Sequence, residues 1–135
     1  MALQYSTSVR NAQLDAIETA ISTSAVLKLR SGSPPATVAT ADSGTVLATL
    51  SLPSDWLAAA SSGSKAKSGT WEDTSADATG TIGHFRVYAS DGTTAHIQGT
   101  VTATGGGGDM TVDNTSVASG QNVTVSSFTI SRGNA

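Results

Sequence analysis

The sequence predicts a mainly β protein, a jelly-roll-like antiparallel β-sandwich carrying one N-terminal α-helix. Three observations lead there. Apolar residues alternate with polar ones in several separate windows, each bounded by Gly, Pro, Ser or Asp turn signals. Ser, Thr and Ala occur twenty times each and Gly 14 times, while charged residues make up only 13% of the chain. Long helices need Leu, Glu, Lys and Arg, whereas Thr and Val suit strands and Ser and Gly suit turns. About seven or eight short strands follow from this pattern, enough for two packed sheets. With 135 residues, no internal repeat and no linker-like break, the chain reads as a single domain over 1–135.

The helix comes first, over 8–22, with the β body following over 25–131. Val9, Ala12, Ala16, Ile17 and Ala20 share one side, and Leu14, Ile17 and Ile21 widen that stripe. Ser6, Thr7 or Ser8 supplies a cap, and Asp15 and Glu18 are expected on the outer face. Two destinations are open for the apolar stripe: the chain's own sheet or a neighbouring subunit.

Ala25–Arg30 is a strand with Leu27 and Leu29 inward, ended by Pro34 and Pro35. Residues 36–44 read as a loop or weak strand. Thr45–Leu52 is a strand with Val46, Ala48, Leu50 and Leu52 alternating, ended by Pro53. Trp56 and Leu57 are expected to plug one end of the core. The run 61–69 is the most loop-like stretch, so Lys65 and Lys67 read as solvated cations or as groups reaching a partner's acidic surface.

The clearest element is a hairpin around Ser90-Asp91-Gly92. A three-residue loop with a bulge would set Phe85 opposite Ile97 and Val87 opposite Ala95. His84, Arg86 and Tyr88 then lie on a polar, surface-facing side opposite Gln98, His96 and Thr94. Gly105–Gly108 reads as a flexible connection to a short strand at Met110–Val112. In the last strand, 121–131, the inward phase passes from Val123 and Val125 to Phe128 and Ile130. That change places a β-bulge at Ser126-Ser127.

Residue types bearing chemistry are sparse. No G-x-S-x-G elbow accompanies His84 or His96, and both read as ordinary surface residues. Glu72, Asp73 and Asp77 lie close in sequence but lack the order of an EF-hand loop. The glycine run lacks the Lys-Ser/Thr ending of a phosphate cradle. No catalytic residue, cofactor or metal is therefore assigned, and the expectation is a protein that is not an enzyme. A net charge of −3 gives no general attraction to nucleic acid or an anionic membrane. Lack of cysteine fits a reducing compartment, and neither a signal peptide nor a membrane span is visible.

Three segments carry a resemblance: LQYSTSVRNAQLDAIETAI, the long middle run from LPSDWLAAA through GHFRVYASDGTTAHIQGTVTATGGGGDMT, and VDNTSVASGQNVTVSSFTI. Together they resemble a family of small virion structural proteins of tailed bacteriophages and prophages. The resemblance implies assembly in the bacterial host cytoplasm and residence in the virion, and it brings no catalytic residues. Within the particle it points to capsid decoration, or cement: a homodimer or homotrimer bound to the major capsid protein. The alternatives are a neck, tail or fibre component, or a carbohydrate-binding β-sandwich. The interface is expected on the helix, through Val9, Leu14, Ile17 and Ile21, and on the loops holding Trp56, Lys65, Lys67 and Trp71.

Overall fold

The structure, a computed structural model, describes residues 3–133. One helix precedes nine strands: α1 (Thr7–Ile21), β1 (Val26–Ser31), β2 (Val46–Ser51), β3 (Ser64–Ala66), β4 (Glu72–Asp73), β5 (Gly80–Tyr88), β6 (Ala95–Ala103), β7 (Met110–Val112), β8 (Ser116–Val117) and β9 (Val123–Ser131). The mainly β class with an N-terminal helix is what the sequence predicts. Its architecture is different.

In place of two antiparallel sheets stacked as a jelly roll, the strands form one curled, mixed sheet, a half-barrel. Its order is β2-β1-β5-β6-β7-β9-β3, with β4 added to β9 and β8 to β5. Curling is visible in the core. From β5 to β9 there are three inter-strand steps, about 14 Å across a flat sheet. Yet the rings of Phe85 and Phe128 meet edge-on at 5.4 Å. Trp71 lies 5.6 Å from Phe128 and 6.0 Å from Trp56, so an aromatic row fills the hollow. The open side is bridged by carboxylates. Asp73 Oδ2 accepts the Thr49 N–H at 2.9 Å, and Asp77 Oδ2 accepts the Thr49 hydroxyl at 2.7 Å. The Thr49 N–H at the β2 edge is thereby satisfied without another strand.

The parallel pair β6–β7 explains much of the departure from a jelly roll. Val101 is level with Met110 and Ala103 with Val112, although only six residues separate the two strands. Parallel neighbours ordinarily need a crossover of a dozen residues or more. Here the glycine run turns back within one loop. Gly105 and Gly107 take φ of +87° and +81°, and a Cβ on Gly106 would lie 2.7 Å from the Thr102 side chain. No other residue fits so tight a return.

Several predicted details hold. Ser6 caps α1 by accepting the Val9 N–H, and Leu27 and Leu29 are buried. In β9, Ser127 pairs with Thr111 and Val125 with Val112. Ser126 is therefore the extra residue, and the bulge is where the phase change placed it. Val46, expected inward, is only half-buried, while Leu47 beside it is buried. Leu47 is itself a bulge, skipped between Leu29↔Ala48 and Arg30↔Val46.

The hairpin register differs from expectation. Val87 pairs with Ile97, Phe85 with Gly99 and Arg86 with Gln98. A bulge at His96 supplies one residue of this two-residue shift, and Asp91 supplies the other. Asp91 accepts the Thr93 and Thr94 N–H groups and the Thr94 hydroxyl, enlarging the loop, which Ala89 N–H closes onto Thr94 O. Those bonds hold the Asp91 carboxyl well below the usual carboxylate range. Because Val87 and Ile97 still share a face, the apolar side survives the slip.

Candidate functional site

Helix α1 meets the sheet body through Leu14 and Ile21, both buried, and through half-buried Ile17. Of the predicted apolar stripe, Leu14, Ile17 and Ile21 pack on the chain's own sheet, whereas Val9, Ala12, Ala16 and Ala20 face outward. Asp15 and Glu18 are not idle on the outer face, as expected, but reach over β3. Lys65 Nζ lies 2.7 Å from Asp15 Oδ1 and 2.9 Å from Glu18 Oε2, and donates to Ala58 O at 2.8 Å. Lys65 is 3% exposed. Burial alone would lower its pKa, but the hydrogen bonds and charges of the two carboxylates outweigh that and raise it. The same Lys65 bond, with the Ala60 N–H, lowers the pKa of Asp15.

This corrects the reading of 61–69 as a solvated basic loop. Part of it is β3, paired along β9 from Ser64↔Ser131 to Ala66↔Thr129, and its lysine is an interior ion. Lys67 is half-buried, donates to Gly69 O at 2.9 Å and lies 6.0 Å from the Trp71 ring. Trp56 and Trp71 are fully buried, with their indole N–H groups donating to Ser22 O and Ser68 O. Trp56, as expected, plugs the core. The eight residues expected at an interface therefore divide. Trp56, Trp71, Lys65, Leu14 and Ile21 present almost no surface in the folded chain. Ile17 and Lys67 are partial, and Val9 is open.

The outer side of α1 carries the remainder of the predicted stripe. Val9, Ala12, Ala16 and Ala20 are exposed along it, two to three helical turns of small apolar side chains. Among the described residues, the exposed large hydrophobics are Leu3 at 75%, Val9 at 44% and Tyr5 at 37%. All three fall within seven positions at the start of the chain. A groove of about 460 Å³ between α1 and the end of β9, lined by Leu14, Ile17 and Ile130, adjoins this surface.

A second concentration of polar groups lies on the convex side of β1, β5 and β6. The expected surface-facing side of the hairpin is buried there. His84, Arg86 and Tyr88 are no more than 2% exposed, because the loop 32–44 crosses over them. Asp42 is its keystone. Oδ1 accepts from Arg86 Nη1 and from the Tyr88 hydroxyl, each at 2.7 Å, and Oδ2 from Arg30 Nη2 at 2.8 Å. Arg86 Nη2 also donates to Thr40 O and Gln98 Oε1, both at 2.8 Å, and Gln98 Nε2 donates to Pro35 O at 2.7 Å. Partial burial would raise the Asp42 pKa; the Tyr88 and Arg86 hydrogen bonds and both guanidinium charges outweigh it, and the pKa is lowered. Tyr88 is pushed the other way, by burial and by its bond to Asp42.

His84, expected at the surface, is fully buried; its Nδ1 lies 2.8 Å from Gly32 O, and Nε2 has no hydrogen-bond partner among the described residues. His96 is exposed and serves as a bulge between Val87↔Ile97 and Tyr88↔Ala95. Among the described residues no three His, Cys, Asp or Glu side chains are placed to share a metal ion. Glu72, Asp73 and Asp77 serve as hydrogen-bond acceptors, for Asn122, Thr49 and Ser75. No described helix is long and apolar enough to cross a membrane. Neither ionic cluster is legible from sequence, because Asp42 lies 44 positions from Arg86 and Asp15 lies 50 from Lys65, and no local pattern joins them. The available signal was two cations, Arg30 and Arg86, inside strand-like runs beside apolar residues; Lys65, between Ser64 and Ala66 in a loop-like run, gave none.

Compared with known proteins, the chain matches no family model, no curated protein and no solved structure.

Proposed function

We propose that this chain is a non-enzymatic structural protein of a tailed-phage virion, and within it a head decoration, or cement, protein. In this reading it binds the outer surface of the capsid and ties neighbouring capsomers together. Its partners are the major capsid protein and further copies of itself, as a dimer or trimer, without direct nucleic-acid or membrane contact and without a cofactor.

The chain resembles small virion structural proteins of tailed bacteriophages along nearly its whole sequence. The observation that carries the proposal in the geometry is the grouping of Leu3, Tyr5 and Val9 as exposed large hydrophobics. Scattered single apolar side chains are normal on a surface, whereas a concentrated group marks a place where another protein docks. Behind that group, α1 is fixed to the sheet by Leu14, Ile21 and the Lys65 ion pairs. A cement protein must resist being pulled apart, and a helix tied by both apolar burial and buried charge suits that load.

A neck, tail or fibre station would use the same surface. The carbohydrate-binding alternative is weakened, because sugar platforms need exposed aromatic faces and both tryptophans are fully buried. Sedimentation of the purified protein with purified shells tests the proposal. Saturable binding that reaches a fixed ratio supports it; the absence of binding to intact shells overturns it.

A further inference from the structure

Loop 32–44 is held in an unusual way. None of its residues is fully buried, so it contributes no side chain to the hydrophobic core. Its attachment is polar and comes from the sheet beneath. Arg86 and Gln98 reach its carbonyls, and Asp42 bonds Arg30, Arg86 and Tyr88. The charge distribution across those bonds is unequal. The Arg30 and Arg86 side chains are 8% and 3% exposed, whereas the Asp42 side chain is 37% exposed. Two buried cations thus converge on a single carboxylate that solvent can reach.

We infer that the converging donors of Arg30, Arg86 and Tyr88 form a carboxylate-binding site, which Asp42 occupies from within the chain as the clasp of a releasable strap. Guanidinium groups recognise a carboxylate by paired, charge-assisted hydrogen bonds, and the Tyr88 hydroxyl adds a third donor. Arg86 keeps an anchor outside the strap when the carboxylate leaves, because Gln98 Oε1 on β6 accepts from its Nε and Nη2. The paired β1 and β5 hold the backbone beneath all three donors. The vacated space opens outward. A carboxylate from another molecule can then take the place of Asp42 wherever the strap lifts.

Removing the Asp42 side chain and supplying formate tests this. Thermal unfolding of Asp42→Gly should show a lowered Tm that formate raises saturably, with chloride at equal ionic strength giving no such rise. Wild type, whose site is filled, and Asp42→Asn, whose amide blocks it, should not respond to formate. If formate and chloride act alike on Asp42→Gly, or if wild type responds equally, the site does not exist. Should Asp42→Gly fold only when formate is present, that also supports it. Failure to fold with or without formate moves the decision to Asp42→Asn. There, exchange of the Arg30 and Arg86 guanidinium N–H protons, followed by NMR, should be at least about tenfold faster than in wild type. Unchanged exchange overturns the inference.

Discussion

The ammonium of Lys65 on β3 lies 2.7 Å from Asp15 Oδ1 on α1, one side chain 2% exposed and the other 51%. That asymmetry sets which partner the fold depends on. The lysine is the desolvated member, so it needs its carboxylates more than they need it. Replacing Lys65 with Met removes the buried charge and keeps the volume, and should leave stability within about 1 kcal/mol of wild type. Asp15→Asn with Glu18→Gln keeps the cation and removes both neighbours. Chemical denaturation should find that double variant clearly less stable than Lys65→Met, and detached at α1 first. The reverse order would mean that the pairing is decorative.

Asp42 carries the other ionic junction. Asp42→Asn leaves Arg30 and Arg86 without a counter-charge. Loss of a fully buried pair costs about 3–5 kcal/mol, and the exposure of Asp42 discounts this to about 2 kcal/mol.

The pH dependence follows from the directions of the shifts. Asp42, Asp15 and Asp91 have folded-state pKa values below 3.8. Their stabilisation is present above the ordinary carboxylate value and is lost as pH falls through the lowered ones. Lys65 is shifted above 10.5, so its contribution is complete below that value and lost as pH rises through the folded one. Thermal unfolding should therefore give a plateau between about pH 5 and pH 9, with losses at both ends. Asp42→Asn should flatten the acid limb. An acid limb identical in wild type and variant would remove Asp42 from the account.

Gly83 ties the strap to the sheet from below. It is the bulge residue of β5, skipped between Arg30↔His84 and Ser31↔Ile82, and a Cβ there would fall 2.3 Å from Gly32 O. Since the obstacle is backbone, it cannot swing aside. Gly83→Ala should cost about 1–3 kcal/mol by denaturant titration, while Gly133→Ala, in open space, serves as the silent control. Equal stability in the two would show that the bulge yields easily.

The exposed apolar group leads to a prediction about assembly. Leu3→Asp with Val9→Asp should change stability by no more than about 0.5 kcal/mol and weaken shell binding at least about tenfold. Sedimentation measures the second effect and thermal unfolding the first. Full binding by the double variant would move the docking surface elsewhere on the protein.

Local chemistry made a good part of this fold legible. Ser6 and the spacing of Leu14, Ile17 and Ile21 announce α1, and the Val125-to-Phe128 phase change announces the β9 bulge. Apolar alternation at Phe85 and Val87 finds the hairpin face even though Asp91 moves its register. What sequence reading misses is long-range. A parallel β6–β7 pair depends on how tightly Gly105–Gly108 can fold over Thr102, which periodicity does not encode. Arg86 looks like a surface residue until loop 32–44 brings Asp42 over it, and Lys65 looks solvated until α1 brings Asp15. Polar residues on a strand mark a face that is not apolar. They do not say whether water or another part of the chain covers it.

The proposed role rests on how many copies of this chain a particle holds. Quantitative mass spectrometry of purified virions, scaled to the major capsid protein, gives that number directly. Decoration predicts a ratio near a simple fraction of the shell subunits. A few copies per particle would place the chain at the neck or tail, and its complete absence would contradict the virion reading altogether.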